Sequence, residues 1–213
     1  MPGKNKNSAS DGSGKKNISP APPQQDENVQ LMLKFQAGDT SAFDELVKRN
    51  VNTVHALVFR FLSDPSQTED ITQEVFMRVF RNAANYKPTA KFSTWLYRIV
   101  ANLCFNVMRA SKKNRHLSLD PAGSEDSRID VPDQVNLTPD EEMSRQELRL
   151  QVKQAVDNLP ENQRVAIILN KYENKSYEEI AQVLSTTTMA VKSLLSRARA
   201  NLKDSLGRSL KHK

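Results

Sequence analysis

Two carboxylates, Asp70 and Glu74, have the spacing in this sequence that most favours chemistry. Residues four apart on an α-helix lie one turn apart on the same face, so the two carboxyl groups can act together. Such a pair could serve as a catalytic acid and base, face solvent, or bind a protein with a basic surface. Catalysis would also need a pocket, a third group and usually glycine-rich turns, which the sequence does not supply. The pair alone therefore does not indicate an enzyme.

A second group of polar residues combines cations, amides and aromatic rings between positions 85 and 109. Four of its members share one face of a predicted helix, namely Arg98, Asn102, Asn106 and Arg109. Rings and amides among cations suit unpaired bases, which they bind by stacking and by hydrogen bonds to the base edges. For Trp95 we favour burial in the core over base stacking, because large aromatic side chains usually pack there.

Two short predicted helices, at positions 177–184 and 188–203, are separated by a brief turn, which is typical of a helix-turn-helix. The small side chain of Ala181 allows the two helices to approach closely. Off its apolar stripe the second helix carries Lys192, Ser193, Ser196, Arg197 and Arg199. In this motif the second helix enters the major groove of duplex DNA. A plain helical hairpin with a solvated basic face is the alternative.

The sequence gives little indication of a metal site, a cofactor site or a membrane-spanning segment. His55, His116 and His212 have no metal-ligand spacing with one another or with Cys104, so we expect no metal and no cofactor. A single cysteine excludes an internal disulfide and fits a reducing compartment. No apolar run approaches the roughly 20 residues that span a bilayer. Because the start of the chain also lacks the apolar core of a signal peptide, we expect a cytoplasmic protein without membrane insertion.

The charge balance favours a polyanionic partner. The chain of 213 residues carries 31 Lys and Arg against 25 Asp and Glu, a formal net charge of +6. A basic balance of this kind favours nucleic acid as a partner. The charge is unevenly distributed, because positions 118–146 hold eight acidic and two basic residues, a local net charge of −6. The remaining residues are correspondingly more basic than the total suggests.

The elements that must position these residues are all predicted to be helical. Apolar side chains recur at steps of three and four residues, and no strand pattern of useful length is present. Composition divides the chain into a disordered tail at 1–27, a helical domain at 28–115, an acidic linker at 116–137 and a second helical domain at 138–213. The predicted fold class is therefore all-α, with two small helical domains joined by a flexible acidic linker.

Three capping patterns mark predicted helix starts. Ser66 with Glu69, and Ser176 with Glu179, have the spacing in which each side chain bonds the backbone N–H of the other residue. Thr138, followed by a proline and two acidic residues, is the third pattern. These patterns predict helices that begin near 66, 139 and 177.

Three sequence blocks follow one another in order. They are Asp70-Ile71-Thr72-Gln73-Glu74-Val75-Phe76, then Phe92-Ser93-Thr94-Trp95-Leu96-Tyr97-Arg98-Ile99-Val100-Ala101-Asn102, then Leu159-Pro160 with Tyr177-Glu178-Glu179-Ile180-Ala181 and Val191-Lys192-Ser193. Their order and spacing resemble the bacterial sigma-70 family, in its extracytoplasmic-function (ECF) group, over residues 29 to about 206. The resemblance implies a subunit that binds core RNA polymerase, recognises the −35 and −10 promoter elements and assists promoter melting. It also implies sigma domain 2 at 28–115 and sigma domain 4 at 138–213, and a protein that is not an enzyme.

The resemblance assigns site residues position by position. Those that would dock on the clamp coiled coil of the largest polymerase subunit are Asp70, Gln73 and Glu74. Those that would capture the −10 element are Asn85, Tyr86, Lys87, Lys91, Arg98, Asn102, Asn106 and Arg109. Those that would read the −35 element as duplex DNA are Thr187, Thr188, Lys192, Ser193, Ser196 and Arg197. The acidic linker would thread the polymerase toward its active centre.

Further partners are implied in the same way. They are the polymerase flap, promoter DNA and an anti-sigma factor, which would hold domains 2 and 4 packed against each other in the inactive state. Three positions depart from the family pattern, because Ser185 stands where glycine is usual, Ala190 where threonine is frequent and Leu194 where arginine is frequent. The last two departures remove polar groups from the recognition helix, so no −35 sequence is predicted.

Two other classes of function remain open on the residues alone. One is a self-sufficient helix-turn-helix repressor or activator whose first domain dimerises or senses. The other is a helical enzyme built on Asp70 and Glu74. A repressor needs neither the carboxylate face nor the long acidic linker, so these two features favour the sigma factor.

Overall fold

The structure, a computed structural model, describes residues 26–117 and 139–211. Within these ranges the chain is helical and contains no strand, as predicted. The predicted tail and most of the predicted linker lie outside the described residues. The helices of the N-terminal domain are α1 (Glu27–Gln36), α2 (Thr40–Leu62), α3 (Pro65–Asn82) and α4 (Phe92–Leu117), with a 3-10 turn at Ala83–Asn85. Those of the C-terminal domain are α5 (Pro139–Asp157), α6 (Glu161–Lys171), α7 (Tyr177–Val183) and α8 (Thr188–Lys211). None of the described helices is both long and apolar enough to cross a membrane.

Helix α2 is the centre of the N-terminal domain, where it packs against α1, α3 and α4. Its apolar stripe recurs at three and four residue steps, and Leu46, Val54, Leu57 and Phe61 are fully buried. Burying side chains of this size contributes roughly 1.5 to 3 kcal/mol each relative to leaving them in water. The spacing of apolar residues in the sequence therefore explains why α2 is amphipathic and why its apolar side packs at the centre of the helical bundle.

Helix α3 begins within one residue of its predicted start, but its cap differs from the prediction. Its N-cap is Asp64, whose Oδ1 accepts a hydrogen bond from the backbone N–H of Ser66 at 3.0 Å. Pro65 occupies the first helical position, where its fixed φ suits the helix and its missing N–H has no cost. The predicted capping box of Ser66 with Glu69 is therefore wrong, because the helix already begins at Pro65.

The C-terminal domain is built around α6, in which the five residues 165–169 are all buried. Helix α8 packs across α5, α6 and α7. The predicted capping box of α7 is confirmed, because Ser176 Oγ accepts from the N–H of Glu179 at 3.2 Å and Glu179 Oε2 accepts from the N–H of Ser176 at 2.9 Å. Helix α5 begins at Pro139, as predicted, while its predicted cap Thr138 lies outside the described residues.

The two domains pack against each other, and their buried side chains form one continuous apolar cluster. Helix α4 contacts α6 and α7, and α2 contacts α6. At this junction the guanidinium of Arg164, which is 7 % exposed, donates to Asp157 Oδ1 at 2.5 Å and to Ser63 Oγ at 2.8 Å. Ser63 in turn donates to Asp157 Oδ1 at 2.6 Å. The end of α2 is thereby bonded to α5 and α6 through a charged pair whose guanidinium is buried and whose carboxylate is partly buried. Removing the carboxylate alone would leave a buried charge without its partner, which is costly.

A second polar junction centres on Glu173, in the turn between α6 and α7. Its Oε2 accepts from the hydroxyl of Tyr97 on α4 at 2.7 Å, and its Oε1 accepts from Arg60 on α2 at 3.3 Å. The neighbouring Lys175 donates to Ser93 Oγ at 2.9 Å. Burial, the hydrogen bond to Glu173 and the nearby carboxylates raise the pKa of Tyr97, so its hydroxyl remains a donor at ordinary pH. One turn of the C-terminal domain is thus attached to two helices of the other domain.

Substitution of Asp64, the observed cap of α3, should lower the free energy of unfolding more than substitution of Ser66, the predicted cap. We expect Asp64→Ala to lower the free energy of unfolding by about 1 kcal/mol, because it removes the acceptor for an N–H of the first turn. Ser66→Ala should cost less at pH 7, because it removes only the hydroxyl that donates to Asp64 Oδ1 and leaves the carboxylate to accept from the backbone N–H. The hydrogen bond from the Ser66 hydroxyl is the main cause of the lowered pKa of Asp64. The contribution of Asp64 to folding stability is therefore fully present above the ordinary aspartate pKa and is lost as pH falls through the lowered value. Urea unfolding of both variants at pH 7 and in acid measures this; equal losses would contradict the observed cap.

The hydroxyl of Tyr97, at the domain junction, should contribute more to folding stability than the buried hydroxyl of Tyr86. We expect Tyr97→Phe to lower the free energy of unfolding by about 1 to 3 kcal/mol, because a mostly buried carboxylate loses a hydrogen bond. Tyr86→Phe is the matched control, since the hydroxyl of Tyr86 is buried and has no hydrogen-bond partner in the described part of the chain. Its removal should be neutral or slightly stabilising in urea unfolding. A larger loss for Tyr86→Phe than for Tyr97→Phe would contradict this assignment.

Candidate functional site

The predicted docking residues share the outer face of α3. Asp70 and Gln73 are exposed, and Glu74 is half-buried. Glu74 Oε1 accepts from Nε of Arg78 at 2.9 Å, and Arg81 Nη1 lies 3.8 Å from the same oxygen. Two arginines of the same helix therefore offset the negative charge of Glu74. Asp70 and Gln73 present polar groups on the surface beside it.

Sequence reasoning missed an apolar extension of this face. Phe80 is 52 % exposed and Met77 is 49 % exposed, although both are large apolar side chains. The ring of Phe80 lies 5.2 Å from that of Phe35 on α1 and 5.3 Å from that of Phe43 on α2. We call Asp70, Gln73, Glu74, Met77 and Phe80 the α3 face. The signal that could have found its apolar part is the spacing of three and four residues that continues from Glu74 to Met77 and Phe80.

The segment before α4 separates the predicted −10 residues into exposed and buried members. Asn85 and Lys87 are exposed. Tyr86 is only 4 % exposed, and its ring lies 4.9 Å from that of Trp95 in an edge-on arrangement. Burial, with a smaller contribution from Asp26, raises the pKa of Tyr86 to about 12. In this conformation Tyr86 packs in the N-terminal domain and does not join the exposed residues.

Helix α4 presents the other predicted −10 residues on one side. Four exposed side chains follow this side in order, namely Arg98, Asn102, Asn106 and Arg109. We call these four residues together with Lys91 the −10 face. Trp95 is half-buried against the core, in agreement with the packing interpretation. The −10 face thus has cations at both ends and two amide side chains between them.

The C-terminal domain lies against the cations of the −10 face. Three contacts join them, namely Lys91 Nζ to Glu179 Oε1 at 2.9 Å, Arg98 Nε to the carbonyl of Gln182 at 3.0 Å, and Arg109 Nε to Glu161 Oε2 at 3.8 Å. Lys112, one turn beyond, lies 2.8 Å from Glu161 Oε1. These contacts join residues far apart in the sequence, which local patterns cannot reveal.

The helix-turn-helix presents the predicted −35 residues to the outside. Thr188, Lys192, Ser193, Ser196 and Arg197 are all exposed along α8. The opposite stripe of α8 is buried, with Val191, Leu195 and Ala198 fully covered. A polar face of this width on a second helix can contact base edges and phosphates in a major groove. We call these five exposed residues the −35 face.

The turn of this motif has its own structural requirements. Thr187 Oγ accepts from the N–H of Ala190 at 3.2 Å, which caps the first turn of α8. Thr187 therefore has a structural role that sequence reasoning did not identify. Ser185 has φ of 51°, in the left-handed region that favours glycine, which explains why a glycine would suit this position.

The described residues offer no group of three histidine, cysteine, aspartate or glutamate side chains that could hold a metal ion. Cys104 is fully buried in α4. Burial raises the pKa of its thiol to about 12, so the thiol is protonated and unreactive at neutral pH. His55 is exposed on α2, and His212 lies outside the described residues.

Comparison with known families agrees with both helical domains. The model of Sigma-70 region 2 matches residues 46–114, and that of Sigma-70, region 4 matches residues 149–202. The first match contains the α3 face and the −10 face, and the second contains the −35 face. All three faces therefore lie inside family domains.

Individual relatives match over most of their length. The chain is 33% identical to the RNA polymerase sigma-H factor of Pseudomonas aeruginosa over 178 residues, which are 82% of this chain and 91% of that protein. It is 32% identical to the ECF RNA polymerase sigma factor SigW of Bacillus subtilis over 187 residues, which are 84% of this chain and 98% of that protein. Similar lengths show that the two helical domains correspond to nearly the whole of these relatives.

Two solved structures share the fold. One is CnrH in complex with the cytosolic domain of CnrY, with a TM-score of 0.62, 23% identity, and coverage of 86% of this chain and 99% of that chain. The other is the sigma factor RpoE of Bartonella quintana in complex with the anti-sigma factor NepR, with a TM-score of 0.60, 24% identity, and coverage of 78% and 96%. The family models, the relatives and the paired helical domains agree. The chain belongs to the sigma-70 family, in its ECF group, and its function is promoter-directed initiation of transcription by RNA polymerase.

Proposed function

We propose that three separate faces of this chain divide the work of a sigma subunit. The α3 face docks on core polymerase, the −10 face captures the opened −10 strand, and the −35 face reads duplex DNA. The observation that supports this division most strongly is chemical. The α3 face is acidic with two apolar side chains, the −10 face is cationic with amides, and the −35 face is cationic with hydroxyls. Each set matches a different partner.

The α3 face fits a basic protein surface with apolar neighbours. Asp70 supplies an exposed charge, while Met77 and Phe80 supply apolar area that a partner can bury. Interfaces of this type combine a desolvated apolar anchor with polar contacts around it. We assign this face to the clamp coiled coil of the largest polymerase subunit, and the polymerase flap is a further proposed partner.

The −10 and −35 faces fit different states of DNA. Amides beside cations can bond the exposed edges of unpaired bases, which supports Asn102 and Asn106 as residues that capture a melted strand. Lys192 and Arg197 project from a helix of the width that a major groove accepts. Asn85 and Lys87, in the segment before α4, extend the −10 face. Tyr86 is buried and can contact DNA only if this segment rearranges.

The same proposal covers the biochemical class and the setting of the protein. Sigma factors are initiation factors and the polymerase performs the chemistry, so we propose that this chain is not an enzyme. Asp70 and Glu74 then serve in docking. The proposed setting is the cytoplasm, where core polymerase and promoter DNA are found, and an anti-sigma factor is a proposed further partner. A domain 2 at 28–115, a linker at 116–137 and a domain 4 at 138–213 complete the proposal.

The docking role is tested with core polymerase that lacks any sigma factor. We expect Asp70→Ala/Glu74→Ala to weaken the complex by about tenfold or more, because the charged part of the docking face is removed. Asp44→Ala/Asp204→Ala, which removes two exposed carboxylates elsewhere, is the matched control and should bind as wild type. Affinity is measured by fluorescence titration, with circular dichroism to verify folding. Equal affinities of the two variants would refute docking through α3, and specific duplex binding without any polymerase complex would favour the self-sufficient regulator.

The −35 role is tested by selecting promoters from a library randomised in the −35 region. We expect holoenzyme with Lys192→Ala to lose preference at one or two positions, by about 1 to 3 kcal/mol of discrimination. Lys203→Ala, an exposed cation three turns later on α8, is the control. It should weaken binding about equally for all sequences and reduce the salt dependence by about one ion, as for a phosphate contact. A sequence preference changed by Lys203→Ala but not by Lys192→Ala would contradict the assignment.

A further inference from the structure

We propose that helix α1 sets the shape of the segment that leads into α4, with Gln36 and Asp26 as the residues that position it. This segment, residues 83–91, carries the exposed Asn85 and Lys87, and we call it the −10 segment. The inference rests on the proposed function of these two residues in −10 capture. Helix α1 lies outside the match to Sigma-70 region 2, so the family comparison assigns it no role.

Gln36 anchors the start of the −10 segment. It is the last residue of α1, and its Nε2 donates to the carbonyl oxygen of Ala83 at 2.7 Å and to that of Tyr86 at 3.0 Å. A primary amide has two N–H donors, so one glutamine can satisfy both carbonyls at once. The carbonyls belong to the first residue of the 3-10 turn and to the residue that follows it. The whole turn is therefore held to α1 as one unit.

Asp26, at the opposite end of α1, anchors the end of the segment. Its Oδ1 accepts from the backbone N–H of Asn28 at 3.0 Å and so caps α1, while its Oδ2 accepts from the N–H of Phe92 at 3.1 Å. Phe92 is the first residue of α4, so a single carboxylate bonds the N-termini of two helices. A negative charge is favourable at both of these helix ends.

Helix α1 is itself firmly placed, which makes it a suitable support. Val29 and Met32 are fully buried in the core, and Nδ2 of Asn50 on α2 donates to Oδ1 of Asn28 at 3.0 Å. The ten residues of α1 extend about 15 Å, so the helix keeps its two anchoring side chains apart. A segment bonded at both ends to one rigid helix has little of the freedom of an unattached loop.

The anchors determine which side chains of the segment face outward. The ring of Tyr86 packs against that of Trp95, 4.9 Å away, and its carbonyl is bonded to Gln36. With Tyr86 held on the inside by both its side chain and its backbone, its neighbours Asn85 and Lys87 are exposed. Without these bonds the segment would sample more conformations, and ordering it on DNA would cost conformational entropy.

The chemistry needed at position 36 is specific. Glutamate has the same length but offers no N–H, so its carboxylate would face two carbonyl oxygens. Methionine has nearly the same length and a similar helix propensity, and it also cannot donate. Substitution of Gln36 by methionine therefore removes the two hydrogen bonds without a change of charge or of helix propensity.

The test is a double-mutant cycle in holoenzyme. The variant Gln36→Met is compared with Asn52→Met, which changes an exposed amide of α2 in the same domain and is the matched control. The probe is a promoter selected with the wild-type holoenzyme from a library randomised in the −10 region, with that region opened as a bubble. Affinity for this DNA is measured by fluorescence titration, and affinity for core polymerase is measured beside it.

We expect Gln36→Met to bind the bubble about tenfold more weakly, which corresponds to the loss of two hydrogen bonds of ordinary net strength. Asn52→Met should bind as wild type, and both variants should bind core polymerase as wild type. The effect of Gln36→Met should be absent in an Asn85→Ala/Lys87→Ala background, because Gln36 acts through these residues. It should add to the effect of Asn102→Ala on α4.

A second readout follows the segment in the free chain, without DNA. Trp95 is the single tryptophan of the protein and lies against Tyr86, so its fluorescence reports whether that ring stays packed. We expect Gln36→Met to increase the quenching of Trp95 by acrylamide, and Asn52→Met to leave it unchanged. Asp26→Ala should also increase the quenching. Circular dichroism verifies folding, and Gln36→Glu with Asn52→Asp as its charge-matched control repeats the test if Gln36→Met does not fold.

Three results would overturn the proposal. They are unchanged quenching of Trp95 in Gln36→Met, unchanged affinity of that variant for the bubble, or an effect that adds in full to that of Asn85→Ala/Lys87→Ala. Wild-type affinity of Asn85→Ala/Lys87→Ala for the bubble would instead refute the proposed function of the −10 segment. The quenching would still report whether α1 holds the segment in place.

Discussion

Helix α4 carries the constraint on which the rest of the molecule depends. Its 26 residues must fill the core of the N-terminal domain on one side and meet α6 and α7 on another. Leu96, Val100 and Cys104 serve the first purpose and are buried. Tyr97 and Ser93 serve the second, through Glu173 and Lys175. The remaining sector holds the cations and amides of the −10 face. A helix has one circumference, so the face that would bind DNA necessarily borders the face that binds the other domain.

That shared border explains how a basic chain holds its own domains together. Of its 25 acidic residues, Glu161, Glu173 and Glu179 lie at the junction and are largely buried there. Each of these carboxylates lies beside a cation of the N-terminal domain, namely Arg109 and Lys112 for Glu161, Arg60 for Glu173 and Lys91 for Glu179. The cations of the −10 face thus also help to hold the two domains together.

The carboxylate pair on α3 shows why spacing alone does not define a site. Asp70 and Glu74 have the separation of a catalytic pair, but Glu74 is balanced by Arg78 in its own helix and both residues lie on the outer side of the domain. Around them are Met77 and Phe80, whose exposed apolar area suits a protein partner. The environment of the pair, rather than its spacing, favours docking.

Apolar periodicity and residues close together in the chain were enough to predict the helices, most of their boundaries, the capping box at Ser176, the helix-turn-helix and the family. The sequence did not determine that Phe80 is exposed, that Tyr86 is buried or that Asp64 rather than Ser66 caps α3. It also did not reveal which carboxylate meets which cation, since Lys91 and Glu179 are 88 residues apart. Local patterns report which face of a helix is apolar. Only the tertiary structure decides what lies against that face, because the neighbours come from distant parts of the chain.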